Sequence, residues 1–501
     1  MRGVGCFVVV AAIFLASARP ALAVAQPLSA GEGEVLDAVP REMKEVQGLA
    51  PREVNGEDGD LTLIPREIEE ASDFAASGAK ASANGDGKLN AKLFLEDALT
   101  RLSSVRSVPV PPVSSNYDWQ NRTSFDLYLQ WHPWRRLTVT LSDRFNLLEQ
   151  QHMDLVTRQT LRNDFREGYV SLEVAASTYL EAGRINLRNG VALGFNPTDF
   201  FKTRTLVGQA SLDPSAARQN RLGTLMARGQ KIWGRGSVSL AYAPKLYQPL
   251  ALTNNDQTGI DPRLDATNAA NRALGAISID LGDWSWELMG YFERRRSKVG
   301  INLTRPLGAA VVAYAEWAGG AEGNLISRGF DYGQATGTLP PGLPQVMPSE
   351  TGMAFRHDLA TGASWTIARK VTLNLEYHYH QAGFTHADWE NWFDLGTSPG
   401  TAPALWYLRA YANDQQEPVS RHQIFARLAW PKALTRNLEL SAFALVNPLD
   451  QSTLAQAIAS YYLSDAWTVA VFGSGHPGAS RSERGSLPRF GSLILQLVLY
   501  L

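Results

Sequence analysis

Only one cysteine, Cys6, occurs among the 501 residues, and it stands within an apolar leader. The remainder of the chain therefore has no disulfide, no thiolate nucleophile and no cysteine to hold a metal. Long hydrophobic runs are also missing. After the leader, nothing approaches the about 18 consecutive apolar residues of a spanning helix, so helical membrane spans are excluded. Strong charge of either sign is absent too: 47 Lys and Arg against 49 Asp and Glu leave a formal net charge of −2, which argues against a nucleic-acid partner.

What is present begins with a secretory pattern. Arg2 supplies a positive start, Cys6 to Ser17 are almost uninterruptedly apolar, and small residues follow in Ala21-Leu22-Ala23 and Ala23-Val24-Ala25. Residues 1–25 are expected to be a cleaved signal peptide. Cys6 does not follow a small-residue lipoprotein site, so lipidation is not expected. Residues 26–86 are acidic, rich in Ala, Gly and Glu, and repeat Pro-Arg-Glu at Pro40, Pro51 and Pro65. Such a composition buries too little apolar surface to order itself. This segment is expected to be a flexible periplasmic extension with a periplasmic partner as its candidate ligand.

From residue 87 to 501 the dominant period is two. Phe125, Leu127, Leu129 and Trp131 alternate with Asp126, Tyr128, Gln130 and His132, and Val371, Leu373, Leu375, Tyr377 and Tyr379 alternate with Thr372, Asn374, Glu376, His378 and His380. One face is greasy and the other wet. A soluble sandwich would alternate as well; connection lengths separate the two. Tight links at His132–Arg135, Ala175–Ser177, Trp233–Gly236, Gly282–Asp283, Pro306–Gly308, Ala368–Lys370, Trp430–Asn437 and Ser464–Ala466 alternate with mostly longer ones such as 188–219, 319–352 and 381–420. Short periplasmic turns and long extracellular loops are the outer-membrane rule. The count predicts an all-β, antiparallel transmembrane barrel of roughly eighteen strands, an even number as single-chain bacterial barrels have.

Of the thirteen tryptophans, Trp131, Trp134, Trp233, Trp284, Trp286, Trp365, Trp430 and Trp467 fall at the ends assigned to the short turns. That placement predicts a periplasmic aromatic girdle, because indole rings settle where membrane meets water. The closing run FGSLILQLVLYL puts Leu493, Leu495, Leu497, Leu499 and Leu501 on one face. It resembles the carboxy-terminal strand by which outer-membrane proteins are handed to the barrel-assembly machinery, although it ends in Leu501 rather than in an aromatic.

Candidate chemistry is sparse. Glu376, His378 and His380 share a strand face, with His386 a few residues on, but no further acid or cysteine completes a metal site in sequence. His378 or His422 could act as a base, but no motif singles out a serine. Neither an enzyme nor a cofactor is expected. A pore needs only inward charges and a loop that narrows the opening. Arg184, Asn186 and Arg188 point together if Ile185 and Leu187 face lipid, an alternation that would put Glu181 toward lipid as well. The long link that follows carries Asn196, Asp199, Phe200, Phe201, Lys202, Arg204, Arg218 and Arg221 and is the candidate constriction; Arg144, Arg228, Glu287, Glu293, Arg295, Glu316, Arg427 and Glu439 are further lumen charges. The chain thus reads as a passive outer-membrane pore, bathed in lipid, for diffusion or export of small solutes. The alternative is a barrel serving as an envelope scaffold or an outer-membrane hydrolase.

The run Gly183-Arg184-Ile185-Asn186-Leu187-Arg188-Asn189-Gly190-Val191-Ala192, continuing to Gly194-Phe195-Asn196-Pro197-Thr198-Asp199-Phe200-Phe201, resembles a stretch of a group of poorly characterised proteobacterial outer-membrane proteins. Asn220-Arg221-Leu222-Gly223-Thr224 and Tyr242-Ala243-Pro244-Lys245-Leu246 fit the same group. More distantly, strand number and an arginine-bearing lumen are similar to alginate-export barrels. That likeness implies a path for small anions or anionic polysaccharide.

Overall fold

The structure is a computed structural model and describes residues 87–112, 117–150, 161–249, 263–294, 296–350, 352–367 and 370–501. The expected signal peptide, the acidic extension and Arg295 lie outside the described residues.

Alternating segments of the length read from sequence form one 18-stranded antiparallel sheet. Its first half runs through β1 (Lys88–Leu102), β2 (Trp119–Trp134), β3 (Leu137–Gln150), β4 (Leu161–Ala175), β5 (Thr178–Ile185), β6 (Thr224–Trp233), β7 (Gly236–Ala243), β8 (Arg272–Leu281) and β9 (Trp284–Glu293). The second half comprises β10 (Lys298–Leu307), β11 (Val311–Glu322), β12 (Ala354–Ile367), β13 (Val371–His380), β14 (His422–Trp430), β15 (Leu438–Val446), β16 (Thr453–Tyr462), β17 (Trp467–Gly475) and β18 (Gly491–Tyr500). Each strand pairs with its neighbours in sequence, and β18 pairs with β1 from Phe94↔Tyr500 to Leu102↔Ser492. The sheet is therefore closed, which leaves no strand edge unpaired.

The period of two sorts side chains by environment. Phe125, Trp131, Leu240, Leu375, Leu493 and Leu495 are exposed on the outside, whereas Arg122, Ser124, Asp126, Arg144, Glu376 and His378 are buried inside. Apolar outside and charged inside inverts a soluble protein and is the arrangement of a membrane-spanning barrel. Trp131, Trp134, Trp233, Trp286 and Trp365 are exposed at the short-turn end, as the girdle requires. Residues in the left-handed region, among them Ser177, Gly282, Gly308 and Lys370, make the short turns.

At the opposite end the long connections are not all irregular. Besides the one-turn pieces α1 (Pro214–Gln219) and α2 (Leu264–Thr267), they carry α3 (Leu325–Thr336), α4 (His386–Gly396) and α5 (Ala402–Gln415). Thr385 and Asp388 form a capping box that starts α4, and Gly337, at φ 74°, terminates α3. Their apolar faces meet in a core of Phe330, Trp389, Trp392, Phe393, Leu405 and Tyr411. These links, expected as loops, thus build a helical cap over one mouth of the barrel. Arg409 of α5 lies over the rings of Trp389, Trp392 and Trp406 and donates to Ser486 Oγ (2.9 Å) and Glu483 O (2.8 Å), tying the cap to the β17–β18 connection.

One expectation fails at the end of β5. Ile185 and Leu187 do not face lipid; both are buried in an internal cluster with Phe200, Phe201, Met226 and Tyr291. The cause is phase: Glu181, Gly183 and Ile185 share one face, opposite the buried Arg228, Met226 and Thr224 of β6, so the period of two runs on through Gly183 (φ 137°) with the side of Glu181 inward. Below that point Glu181 pairs with Arg228 (3.2 Å) rather than facing lipid alone. Above it Arg184 is turned toward Phe165, donates to Gly223 O (2.8 Å) and Arg263 O (3.2 Å), and parts company with Asn186 and Arg188.

Candidate functional site

The connection 186–223 between β5 and β6 does not stay at the rim. It crosses the barrel interior, and its contacts run most of the way round the wall. Asn186 and Asn220 bond Glu167 and Arg166 of β4, Phe200 stacks on Tyr291 of β9 (4.8 Å between centroids), and Thr198 donates to Asn302 of β10 (2.8 Å). Farther along, Asp213 accepts from Arg427 of β14 (2.6 Å), Leu212 N donates to Gln456 of β16 (2.8 Å), and Ala210 packs with Phe472 and Ile494 of β17 and β18. Most of these residues are buried.

Two wall carboxylates hold the crossing. Glu316 of β11, 0% exposed, accepts the backbone N–H groups of Val191 and Ala192 and the hydroxyl of Thr198 (3.0 Å). Glu376 of β13, 1% exposed, accepts the next two, Leu193 N (2.6 Å) and Gly194 N (2.9 Å), together with Tyr314 OH (2.6 Å). Four consecutive amides in an irregular stretch have no sheet or helix to bond, and a buried unpaired N–H is costly. The two glutamates satisfy all four, and the amides in turn compensate the buried carboxylates. Gly194 has to be glycine-sized here: a Cβ would lie 2.6 Å from both His378 and Phe425.

A second clasp closes the segment on itself. Asp199 receives both terminal nitrogens of Arg221, while Arg221 Nε donates to Asn186 Oδ1 (2.7 Å) and its Nη2 to Leu187 O (2.8 Å). Burial alone would raise the Asp199 pKa, but Arg221 and Arg218 outweigh it and hold the carboxyl below its ordinary range. Lys202 lies 4.3 Å from the Phe195 ring centroid and donates to Asn196 O (2.8 Å); burial lowers its pKa. Asn196 bonds Ala192 O and reaches Glu316 at 3.4 Å.

Of the candidate constriction residues, the structure brings Asn186, Asn196, Asp199, Lys202, Arg221 and Glu316 together within or against the crossing segment. Arg204 points to the cap, donating to Asp414 (3.3 Å) and Tyr332 (2.8 Å). Arg188 is half-buried near Arg218. Arg228 and Glu293 stand elsewhere on the wall, paired with Glu181 and with Tyr291 (2.6 Å). Arg184 lies apart, beside Phe165.

Arg144, an expected lumen charge, belongs to a wider set of inward charges on β1 to β4. There Arg122 and Arg144 share Glu96, and Arg144 and Arg166 share Asp126, in a buried ladder of alternating charge. The alternation in β1 and β2 marks these side chains as inward, but their pairing across strands depends on register. His378 bonds Glu376 (2.7 Å) and His380 bonds Asp358 (2.7 Å), so the two imidazoles serve different carboxylates. Among the described residues no cluster of His, Cys, Asp and Glu suited to a metal occurs.

No family model and no curated protein sequence matches this chain. Among solved structures it is similar to OccK11 (OpdR) of Pseudomonas aeruginosa, at 13% identity and TM-score 0.46 over 84% of this chain and 99% of that one. It is also similar to OccK5 (OpdH) of the same species, at 9% identity and TM-score 0.48 over 83% and 98% of the two chains. A BenF-like porin from Pseudomonas fluorescens Pf-5 gives 11% identity and TM-score 0.49 over 83% and 98%. These likenesses concern the fold.

Proposed function

We propose that the protein is an outer-membrane channel for small solutes whose passage is set by the internal segment 186–223. The observation that carries this reading is the clasping of that segment across the interior by Glu316 and Glu376. A barrel used only as a scaffold has no need to spend two buried carboxylates on positioning an irregular loop inside itself. A channel does, because the height and width of the constriction decide what enters. The interior favours no single charge of solute: the arginines of β2 to β4 are matched by Glu96 and Asp126, so neither an anion nor an anionic polysaccharide is singled out.

The test is planar-bilayer recording of the purified, refolded chain, with Arg221→Ala as the variant that loosens the segment. The channel reading expects discrete current steps that become larger or noisier in the variant. An intact barrel that produces no steps in either form overturns it.

A further inference from the structure

The cap meets the barrel rim at a closed circuit of six side chains that alternate in charge. Lys298 of β10 bonds Glu322 of β11 (2.9 Å), and Glu322 faces Arg328 of α3 (3.8 Å). Arg328 grips Glu417, just past the end of α5, through two nitrogens at 2.6 and 3.1 Å. Glu417 faces His380 of β13 (3.6 Å), His380 bonds Asp358 of β12 (2.7 Å), and Asp358 returns to Lys298 (3.1 Å). Four members belong to the wall, and two, Arg328 and Glu417, belong to the cap.

His380 is the link whose charge can change. Its Nδ1 faces Asp358, and its Nε2 is buried, makes no hydrogen bond and faces the second carboxylate, Glu417. An imidazolium presents an N–H to both acids. A neutral imidazole has one N–H only; with Asp358 taking it, a lone pair is left against the Glu417 carboxylate. The charged groups around His380 are Asp358 on β12, Glu417 after α5, and, one step farther round the circuit, Lys298, Arg328 and Glu322. Lys202 of the internal segment also senses Glu417 and Asp358, while Phe195 supplies only a ring, 5.9 Å from the imidazole. The cap is coupled inward as well: Arg204 bonds Asp414, and Gln416 donates to Lys202 O and to Thr205 Oγ1 (2.7 Å).

We infer that the helical cap is a lid latched to the barrel rim by this six-membered charge circuit, that protonation of His380 closes the latch, and that its loss as pH rises loosens the cap and the segment joined to it. This rests on the channel reading only for its physiological meaning; the latch itself is testable without conduction. Histidine changes charge between about pH 5 and 8, so the comparison is made at those two values on the full refolded chain.

Hydrogen–deuterium exchange of residues 325–336 and 402–415, corrected for intrinsic rate, is followed in wild type and in His380→Gln. If the proton favours the closed latch about tenfold, protection of both helices falls by that factor from pH 5 to pH 8, while strand amides stay protected. His380→Gln is expected to abolish that difference. Glu417→Gln, which removes the acid facing Nε2 but leaves Asp358, should abolish it too. Equal protection at both pH values in wild type, or an undiminished difference in both variants, overturns the latch. Strand protection in each sample reports whether the barrel folded. In bilayers the latch expects more open time at pH 8 than at pH 5. A chain with the exchange signature but no current keeps the latch and sinks the channel.

Discussion

Both terminal nitrogens of Arg221 grip the Asp199 carboxylate, at 2.8 and 2.9 Å, in a pair that is almost wholly buried. The pair ties the far part of the internal segment to its returning limb without involving a strand.

Arg221→Ala should therefore free the segment while sparing the barrel. Removing one partner of a buried pair costs up to about 3–5 kcal/mol, and Arg218, 3.4 Å from Asp199, offsets part of that here. The cost falls on the segment, so the expected result is larger current fluctuations with unchanged heat-modifiable mobility of the folded barrel on gels. Arg221→Lys should rescue only in part, because an ammonium cannot reproduce the planar fork.

Glu376→Gln should loosen the same segment from the wall side. The glutamine amide keeps the shape but replaces two charge-assisted acceptors with one carbonyl and an NH2 group. Hydrogen bonds to a charged group contribute about 1.5–3 kcal/mol. Because Glu316 holds the two preceding amides, the double variant with Glu316→Gln should be non-additive. Exchange protection of residues 191–194 measures both singles and the double; strict additivity would contradict the shared clasp.

Acid should undo the cap by a second route, through the Glu417 carboxyl. Burial would raise the Glu417 pKa, but Arg328 and His380 outweigh it and hold it down at about 2, against an ordinary 4.5. A carboxyl depressed on folding stabilises the cap above its unfolded pKa and loses that contribution as pH falls through the folded one. Protection of α3 and α5 should thus decline between pH 4.5 and about 2, and Glu417→Gln should lack that acid limb.

Gly183→Ala tests the close approach of β5 to β4. A Cβ there would lie 2.3 Å from Gly168 O and 2.6 Å from Tyr169 Cα, both backbone atoms, at φ 137°. Strain of about 1–3 kcal/mol is the minimum expected, seen as a lowered thermal midpoint of the β-sheet circular dichroism signal. Gly473→Ala, with nothing within 4 Å of its Cβ and no special φ, is the control and should shift the midpoint little.

Strand number and the turn pattern were legible because both follow from a local period and from local breakers. Phe125 and Asp126 announce their faces through their immediate neighbours alone. The cap was not legible by the same reading, since Trp389, Trp392, Phe393, Leu405, Leu408 and Tyr411 sit at helical spacing within stretches long enough to pass for loop. The capping box at Thr385 and Asp388 was the available signal. Ile185 and Leu187 are expected on the wrong face because polar Arg184 and Asn186 set the phase, whereas Glu181, of the same parity as Ile185, is the residue that marks the inward side. The clasp at Glu316 and Glu376 had no local trace: each glutamate bonds amides more than a hundred positions away, and only register brings the two acids to the same height.

The seam between β1 and β18 imposes an order on assembly. Segment 186–223 bonds Gln456 of β16 and packs on Ile494 of β18, so its full set of partners exists only once the last strand has been delivered. By then the wall is nearly complete around it. The segment thus gains its complete set of contacts only in the closed cylinder, and Phe94↔Tyr500 is among the stitches that seal it inside.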